Sequence, residues 1–312
     1  MTKLKLIHLF CFLFAVNSLP SEELPIEFTI ASFNVKGYSD GKTGYRKAKP
    51  PESRTRVEQI IGHWNPEILV IQEMGSRSMF HQFKSALNDR GSRYPYEVFA
   101  EGNDTENHIV VLSRFPIFKT SIHTDDSFEL HGNRFRMSRP ILELDIQVTE
   151  NYSFKLLSVH LKSKRKILSA DQQEVREKEA RVLRRKIDDA LSKNQNLNLV
   201  VIGDLNDSPQ ALSTRTILGK GRNRLFDTRP IEEGALLGNP SKTLTSSRIL
   251  EIAWTYFYKK EDSYSRIDYI LISRGMKAEW NPLKTFIPRS AYWNAASDHR
   301  MILAGFIIAG RR

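Results

Sequence analysis

The sequence predicts an α/β protein, a four-layer sandwich in which two mixed β-sheets pack face to face with helices on the outside. Three observations lead there. Several short runs are apolar along their whole length, above all Ile68-Leu69-Val70-Ile71 and Leu199-Val200-Val201-Ile202, as suits strands covered on both faces. Segments of helical periodicity stand between some of these runs, the arrangement that parallel strands need. Between residues 94 and 160, strand-like runs follow one another with no helix among them, which indicates antiparallel pairing.

Taken in order, Glu27 to Val35 alternates Phe28, Ile30 and Phe33 with small or polar residues and reads as a strand ending at Asn34. The Gly- and Lys-rich stretch Lys36 to Pro51 reads as a loop. Ser53 is expected to cap a helix through Trp64, with Val57, Ile60 and Ile61 on its apolar face, and Pro66 to stop it. Ile68 to Ile71 is a buried strand running into Gln72-Glu73. Ser78 to Asn88 is a short helix. Tyr94 to Phe99, Ile109 to Leu112, Ile117 to His123, Met137 to Gln147 and Phe154 to Val159 read as strands, the last ending at His160.

Ala170 to Leu191 is the longest helix, with Val175, Val182, Leu183, Ile187 and Leu191 as its buried stripe. Its cations Arg176, Lys178, Arg181, Arg184, Arg185 and Lys186, interleaved with Glu174, Glu177 and Glu179, are expected on a solvated face laced with i,i+4 pairs. The strand Leu199 to Ile202 breaks at Gly203-Asp204-Leu205-Asn206-Asp207-Ser208-Pro209. A helix near Ala211 to Leu218 leads into an irregular Gly-rich segment through Pro240. Ile252 to Tyr258 and Ser265 to Ser273 are expected to pair as strands, and Met301 to Ile308 closes the chain.

Composition bounds the rest. With 312 residues, 40% hydrophobic and 27% charged, the chain can bury a large core, and no linker divides it. Residues 19–312 therefore read as one domain. Met1 to Ser18 differs: Lys3 and Lys5 precede an apolar run from Leu6 to Val16, then small residues, which is the pattern of a secretory signal peptide. The run is shorter than the roughly 20 residues of a spanning helix. Export to periplasm or medium is the expectation. Cys11, the sole cysteine, lies inside that leader, so the exported chain would have no disulfide. Without Lys3 and Lys5, 45 basic residues stand against 36 acidic, about +9, and such an excess favours polyanionic partners, either nucleic acid or an anionic lipid surface. Nothing points to an obligate protein partner, so a monomer is expected.

The chemistry-bearing residues fall at strand ends: Asn34, Glu73, His160, Asp204 with Asn206, Asp268, and Asp298 with His299. Ligands of open α/β sheets bind at such ends. Hydrolysing a phosphodiester needs a divalent cation on the phosphate oxygens, an activated water and donors for the charge that develops. Carboxylates suit Mg²⁺ or Mn²⁺, and clusters of His and Cys with zinc spacing are missing.

The stretches Ala31-Ser32-Phe33-Asn34-Val35, Val70-Ile71-Gln72-Glu73, Ser158-Val159-His160-Leu161-Lys162-Ser163, Gly203-Asp204-Leu205-Asn206-Asp207, Arg266-Ile267-Asp268-Tyr269 and Ser297-Asp298-His299 resemble, in order, those of the endonuclease/exonuclease/phosphatase superfamily. That superfamily includes deoxyribonucleases, apurinic endonucleases, inositol polyphosphate phosphatases and bacterial sphingomyelinases. The resemblance implies Glu73 as principal metal ligand with Asn34 beside it, and Asp298 near a metal position. It implies His299 as general base or phosphate contact, its ring held by Asp268. Asp204 would orient or deprotonate the water, Asn206 hold a phosphate oxygen, and His160 donate to the phosphate or leaving oxygen. Lys36 departs from the pattern, since apurinic endonucleases carry an acid two residues after the Asn.

The leading expectation is an exported Mg²⁺-dependent phosphodiesterase, an endonuclease on DNA or RNA, with Mn²⁺ or Ca²⁺ as alternative cations. A sphingomyelinase-type phospholipase would need an apolar surface element, for which Tyr256-Phe257-Tyr258 and Tyr292-Trp293 are candidates. A phosphatase of small esters and an inactive binding module complete the alternatives. His63, His81, His108, His123 and His131 are expected to be surface or structural.

Overall fold

The structure, a computed structural model, describes residues 24–41, 47–165, 170–234 and 253–309. The expected leader, with Cys11, lies outside the described residues. In chain order the elements are β1 (Ile26–Tyr38), α1 (Pro51–Trp64), β2 (Ile68–Met74), α2 (Arg77–Asp89), β3 (Tyr96–Ala100), β4 (His108–Ser113), β5 (Ile117–His123), β6 (Ser127–Leu130) and β7 (Asn133–Arg136). They continue with β8 (Ile141–Thr149), β9 (Tyr152–His160), α3 (Gln172–Lys193), β10 (Leu199–Asp204), α4 (Leu212–Leu218), β11 (Phe226–Asp227) and β12 (Ile231–Glu232). β13 (Tyr256–Tyr258), β14 (Ser263–Ser265), β15 (Asp268–Ile272), β16 (Trp280–Ile287), α5 (Trp293–Ala296) and β17 (Ile302–Ile308) complete the series.

One sheet has the order β12-β16-β17-β1-β2-β4-β3, the other β11-β15-β10-β9-β8-β5. Each contains one central parallel pair, β1 with β2 and β9 with β10, bridged by α1 and α3. The period of two along a strand sorts side chains into layers. Phe28, Ile30, Ile68, Val70, Val200, Ile202 and Ile270 meet between the sheets. Ala31, Phe33, Leu69 and Ile71 face outward onto Val57, Ile61, Phe80 and Phe83 of α1 and α2. Val201 and Leu271 face α3 through Val182, Leu183 and Ile187. The runs that are apolar throughout are apolar because both of their faces are covered, and the predicted four-layer sandwich is what forms.

Several elements differ from the sequence reading. α1 begins at Pro51, whose ring presets the helical φ, and Ser53 does not cap it; the Ser53 hydroxyl donates to the Ala295 carbonyl instead. The β6–β7 hairpin was missed and β8 starts at Ile141, not Met137. The turn of that hairpin, His131-Gly132, has φ of 50° and 75°, so a His takes the place usually held by Asn in a two-residue turn of primed type. Tyr256–Tyr258 pairs with Ser263–Ser265, whereas Asp268–Ile272 joins the second sheet between β10 and β11. Residues 42–46 and 235–252 of the two expected loops lie outside the described residues.

The charged side of α3 is not uniformly solvated either. Arg176 is buried with its Nε donating to Asp207 Oδ2 (2.9 Å), and Glu179 is buried with Oε2 accepting from the Lys162 N–H (2.6 Å). Arg184 donates to Asp188 and to the Ile217 and Asn223 carbonyls. These charges tie α3 to the loops that leave β9 and β10.

Candidate active site

Parallel pairing puts like strand ends side by side. In the second sheet the register sets Asp204 opposite His160 on one side and opposite Asp268 on the other. In the first, Asn34 of β1 lies opposite Gln72 of β2, next to Glu73, where the register of the two strands breaks, and Asp298-His299 leads into β17 beside β1. The sheets meet here: Asn34 Nδ2 donates across the sandwich to Asp204 Oδ2 (3.0 Å) and lies 3.4 Å from Glu73 Oε1. Within the second sheet Gly203 lets β10 lie close to β9, because a Cβ on it would fall 2.0 Å from the Val159 carbonyl oxygen, at a φ of 137°. Lys36, Glu73 and Asn206 hold left-handed backbone at φ of 51°, 63° and 54°. Each such residue stores on the order of 1–3 kcal/mol.

Each candidate residue from the sequence falls in this cluster. His299 Nδ1 bonds Asp268 Oδ2 (3.0 Å), and its Nε2 faces Asp204 Oδ2 at 3.9 Å. His160 Nε2 lies 3.5 Å from Asp204 Oδ2 and 4.0 Å from Glu73 Oε1. Asp298 is on the rim, its carboxylate 3.1 Å from Lys36 Nζ. Ser297 Oγ donates to the Asn34 carbonyl (2.8 Å) and accepts from the His299 N–H, fixing the last loop against β1. Both amide hydrogens of Asn206 are engaged, on the Leu161 carbonyl (3.0 Å) and on Asp204 Oδ2 (3.2 Å). Asn206 thus braces Asp204, beside the phosphate contact that the resemblance implies for it.

The electrostatics follow from burial and from like charge. Burial, then repulsion by Asp268, pushes the Asp204 carboxyl well above the usual carboxylate range, against the pull of His299. Burial alone would lower His299, but the charge and hydrogen bond of Asp268, with Asp204 and Asp298 adding, hold it up at about 10. The imidazole is thus a cation at neutral pH. A charged ring suits the phosphate contact, the second of its two expected roles.

Sequence reasoning gives no role at the site to Lys49 and a different one to Tyr256. Lys49 is buried with Nζ donating to the Ala296 carbonyl (2.6 Å), and burial lowers it to about 8 despite Asp298. The Gly- and Lys-rich stretch around it offered no signal. Tyr256 lies with its ring 4.8 Å from that of His299, and Phe257 stacks on Tyr264 and abuts Trp293. Of the aromatics that are candidates for an apolar surface element, Tyr256 packs on the site itself and Phe257 and Trp293 pack behind it. Among the described residues no helix is long and apolar enough to cross a membrane.

The donor set fits a divalent cation. Asp204, Asp268 and His299 offer ligand atoms all within 4.8 Å of one another, a group able to hold a metal ion when the imidazole is neutral. Asp268 Oδ2 is already committed to His299, while Asp268 Oδ1 is buried with no hydrogen-bond partner among the described residues. Glu73 and Asn34 add oxygens from the facing sheet. A hard cation would relieve the crowding of carboxylates that raises Asp204.

Comparison with known proteins gives the same picture. No curated protein matches the chain in sequence. Among solved structures, truncated TDP2 from Caenorhabditis elegans superposes with a TM-score of 0.58 at 18% identity, covering 90% of this chain and 97% of that one. The human Nocturnin catalytic domain, with a bound sulfate anion, gives 0.62 at 16%, covering 90% and 94%. An endonuclease/exonuclease/phosphatase family protein from Bacteroides thetaiotaomicron gives 0.57 at 15%, covering 92% and 99%. At these identities the likeness is one of fold. A model of the Endonuclease/Exonuclease/phosphatase family matches residues 31–299, from the residue after Ile30 on β1 to His299 itself, and the chain belongs to that family.

Proposed function

We propose that the protein is an exported, Mg²⁺-dependent phosphodiesterase that hydrolyses DNA or RNA. The observation that carries this is the surplus of carboxylates, Glu73, Asp204 and Asp268, gathered from both sheets around one charged imidazole. Glu73 and Asn34 would hold the cation, which when bound polarises the phosphate and offsets its charge. Asp204, oriented by Asn34 and Asn206, has the raised basicity to take a proton from the attacking water. His299, kept charged by Asp268, donates from Nε2 to the phosphate oxygen that gains charge at phosphorus. His160 supplies a second donor for the phosphate or the departing oxygen. Lys36 neutralises Asp298 where a further acid would ligate, which sets the Glu73 side of the cluster as the cation position.

The basic excess favours a polyanion over a small ester. Tyr256 packs on His299 and Phe257 on Trp293, which draws these rings away from the apolar surface element that a lipid-surface reading needs, while Tyr292 stays 46% exposed. Plasmid DNA or RNA incubated with the purified protein and Mg²⁺ is expected to be nicked, with loss of activity on chelation or in Asp204→Asn. If both polymers remain intact with Mg²⁺, Mn²⁺ and Ca²⁺, the nuclease reading fails. Turnover of sphingomyelin or inositol phosphates under the same conditions would then assign the substrate.

A further inference from the structure

Outside the active site a cleft of about 490 Å³ lies between α3 and the β6–β7 hairpin. Both ends of this contact are closed by ion pairs, Lys186 with Asp126 (3.0 Å) and Glu174 with His131 (2.8 Å). Between them the pairing stops. Lys178, Arg181 and Arg185 stand at i, i+3 and i+7, one face of the helix, and line the cleft opposite Arg134 of β7. None of these four cations has a carboxylate partner among the described residues, and the one acid lining the cleft, Glu129, sits directly across the hairpin from Arg134. Like charges at this spacing destabilise a helix. A hairpin stapled at both ends leaves them in place where two acids would cure the repulsion.

We propose that this cleft binds the sugar-phosphate backbone of a nucleic-acid strand that extends from the active site. The chemistry is that of phosphate. Arg134 is held flat by two bonds from Nε and Nη2 to Ser127 Oγ (3.1 and 3.0 Å), which leaves its remaining N–H groups for a ligand. Arginine forks match phosphate oxygens in pairs. The placement is that of a substrate track. Arg176 and Glu179, on the same helix, are bound to the loops that follow Asp204 and His160, so the cleft starts within a turn of the active-site loops. Lys178 to Arg185 spans about 10 Å, the rise of roughly three nucleotides of one strand. This rests on the nuclease reading for the identity of the substrate, but the cleft can be tested without turnover.

The experiment measures binding of a 20-nucleotide single strand, with hydrolysis-resistant phosphorothioate linkages, by fluorescence anisotropy between 50 and 200 mM salt. The wild type is compared with Arg181→Glu/Arg185→Glu and with the milder Arg181→Ala/Arg185→Ala, all exposed positions. Loss of two phosphate contacts is expected to flatten the slope of log K against log salt by about 1.4 and to weaken binding at least tenfold, the alanine pair falling between. Hydrolysis of bis-p-nitrophenyl phosphate is expected to stay unchanged. Equal affinities and slopes for all three proteins would overturn the proposal. So would a loss confined to vesicles of anionic phospholipid. Oligonucleotide binding that weakens as expected, in a protein that cuts no polymer, supports the cleft and refutes the nuclease. A protein that cuts small esters with no charge-dependent strand binding does the reverse.

Discussion

Two groups of buried charge lie a few ångströms apart and are built oppositely. On the α3 side the buried arginine meets its complement: Arg176 reaches Asp207 and the Lys162 and Gln172 carbonyls, while Asp207 Oδ2 also accepts from Ser213 Oγ (2.8 Å). In the active site, Glu73, Asp204 and Asp268 crowd around His299 and His160, and Asp204 is held above its ordinary pKa by burial and by Asp268. The first arrangement secures two loops. The second stores unfavourable energy that a bound cation and a phosphate can release. Charges that hold a fold are paired; charges that act are left in surplus, and backbone strain at Glu73 and Asn206 accumulates in the same place.

The sharpest way to break the contrast is mutation of one member on each side. His299→Ala is expected to lower kcat/KM on bis-p-nitrophenyl phosphate by on the order of 10³, as loss of a transition-state donor does. Arg176→Ala is expected to cost about 3–5 kcal/mol in urea denaturation, because Asp207 is left buried and unpaired. If Arg176→Ala proved neutral, the paired group would not be structural.

Removal of surplus charge should do the opposite. Asp204→Asn is expected to abolish turnover while raising stability by about 0.5–2 kcal/mol at pH 7, read from the same denaturation curves. A stability loss would show that the carboxylate is satisfied and would undo the comparison. Mg²⁺ at a hundredfold over its dissociation constant is expected to stabilise the wild type by about 2.7 kcal/mol, and Glu73→Gln to lose most of that gain.

The smallest effects are in pH. His299 is raised in the fold, so its contribution is complete below pH 6.5 and is lost as pH climbs towards about 10; raised Asp204 acts in the same sense. Lys49, lowered to about 8, opposes them between pH 8 and 10.5. Chelated protein is therefore expected to gain stability from pH 9 to 6, with Mg²⁺ flattening the slope. On the paired side, Asp188 is lowered by the hydrogen bond from Arg184, so its contribution is present above pH 3.8 and fades below that, by less than about 1 kcal/mol at this exposed position. Thermal melts across pH 3–9, with and without Mg²⁺, check both limbs.

Much of this was legible in sequence because it is local. The layers follow from runs such as Ile68 to Ile71 and Leu199 to Ile202, and the site from polar residues placed where those runs stop. The hairpin over residues 127–136 was not legible, since His131-Gly132 is an uncommon turn pair. The packing of Tyr256 on His299 was not legible either, since a ring contact between residues 43 apart leaves no local pattern. The α3 cations look alike in sequence, yet Arg176 and Arg184 are buried and bonded while Arg181 and Arg185 line an open cleft.

What the sequence by itself determined is the order of strands and helices and the residue types at their ends, because periodicity and turn chemistry act over a few residues. Tertiary structure alone decided that Lys36 neutralises Asp298, that Asn206 braces Asp204, and that Asp268 raises the basicity of His299. Those outcomes depend on distances between segments as much as 260 residues apart and on how little water reaches them. Coulomb energy and desolvation are properties of that space, and no local pattern encodes them.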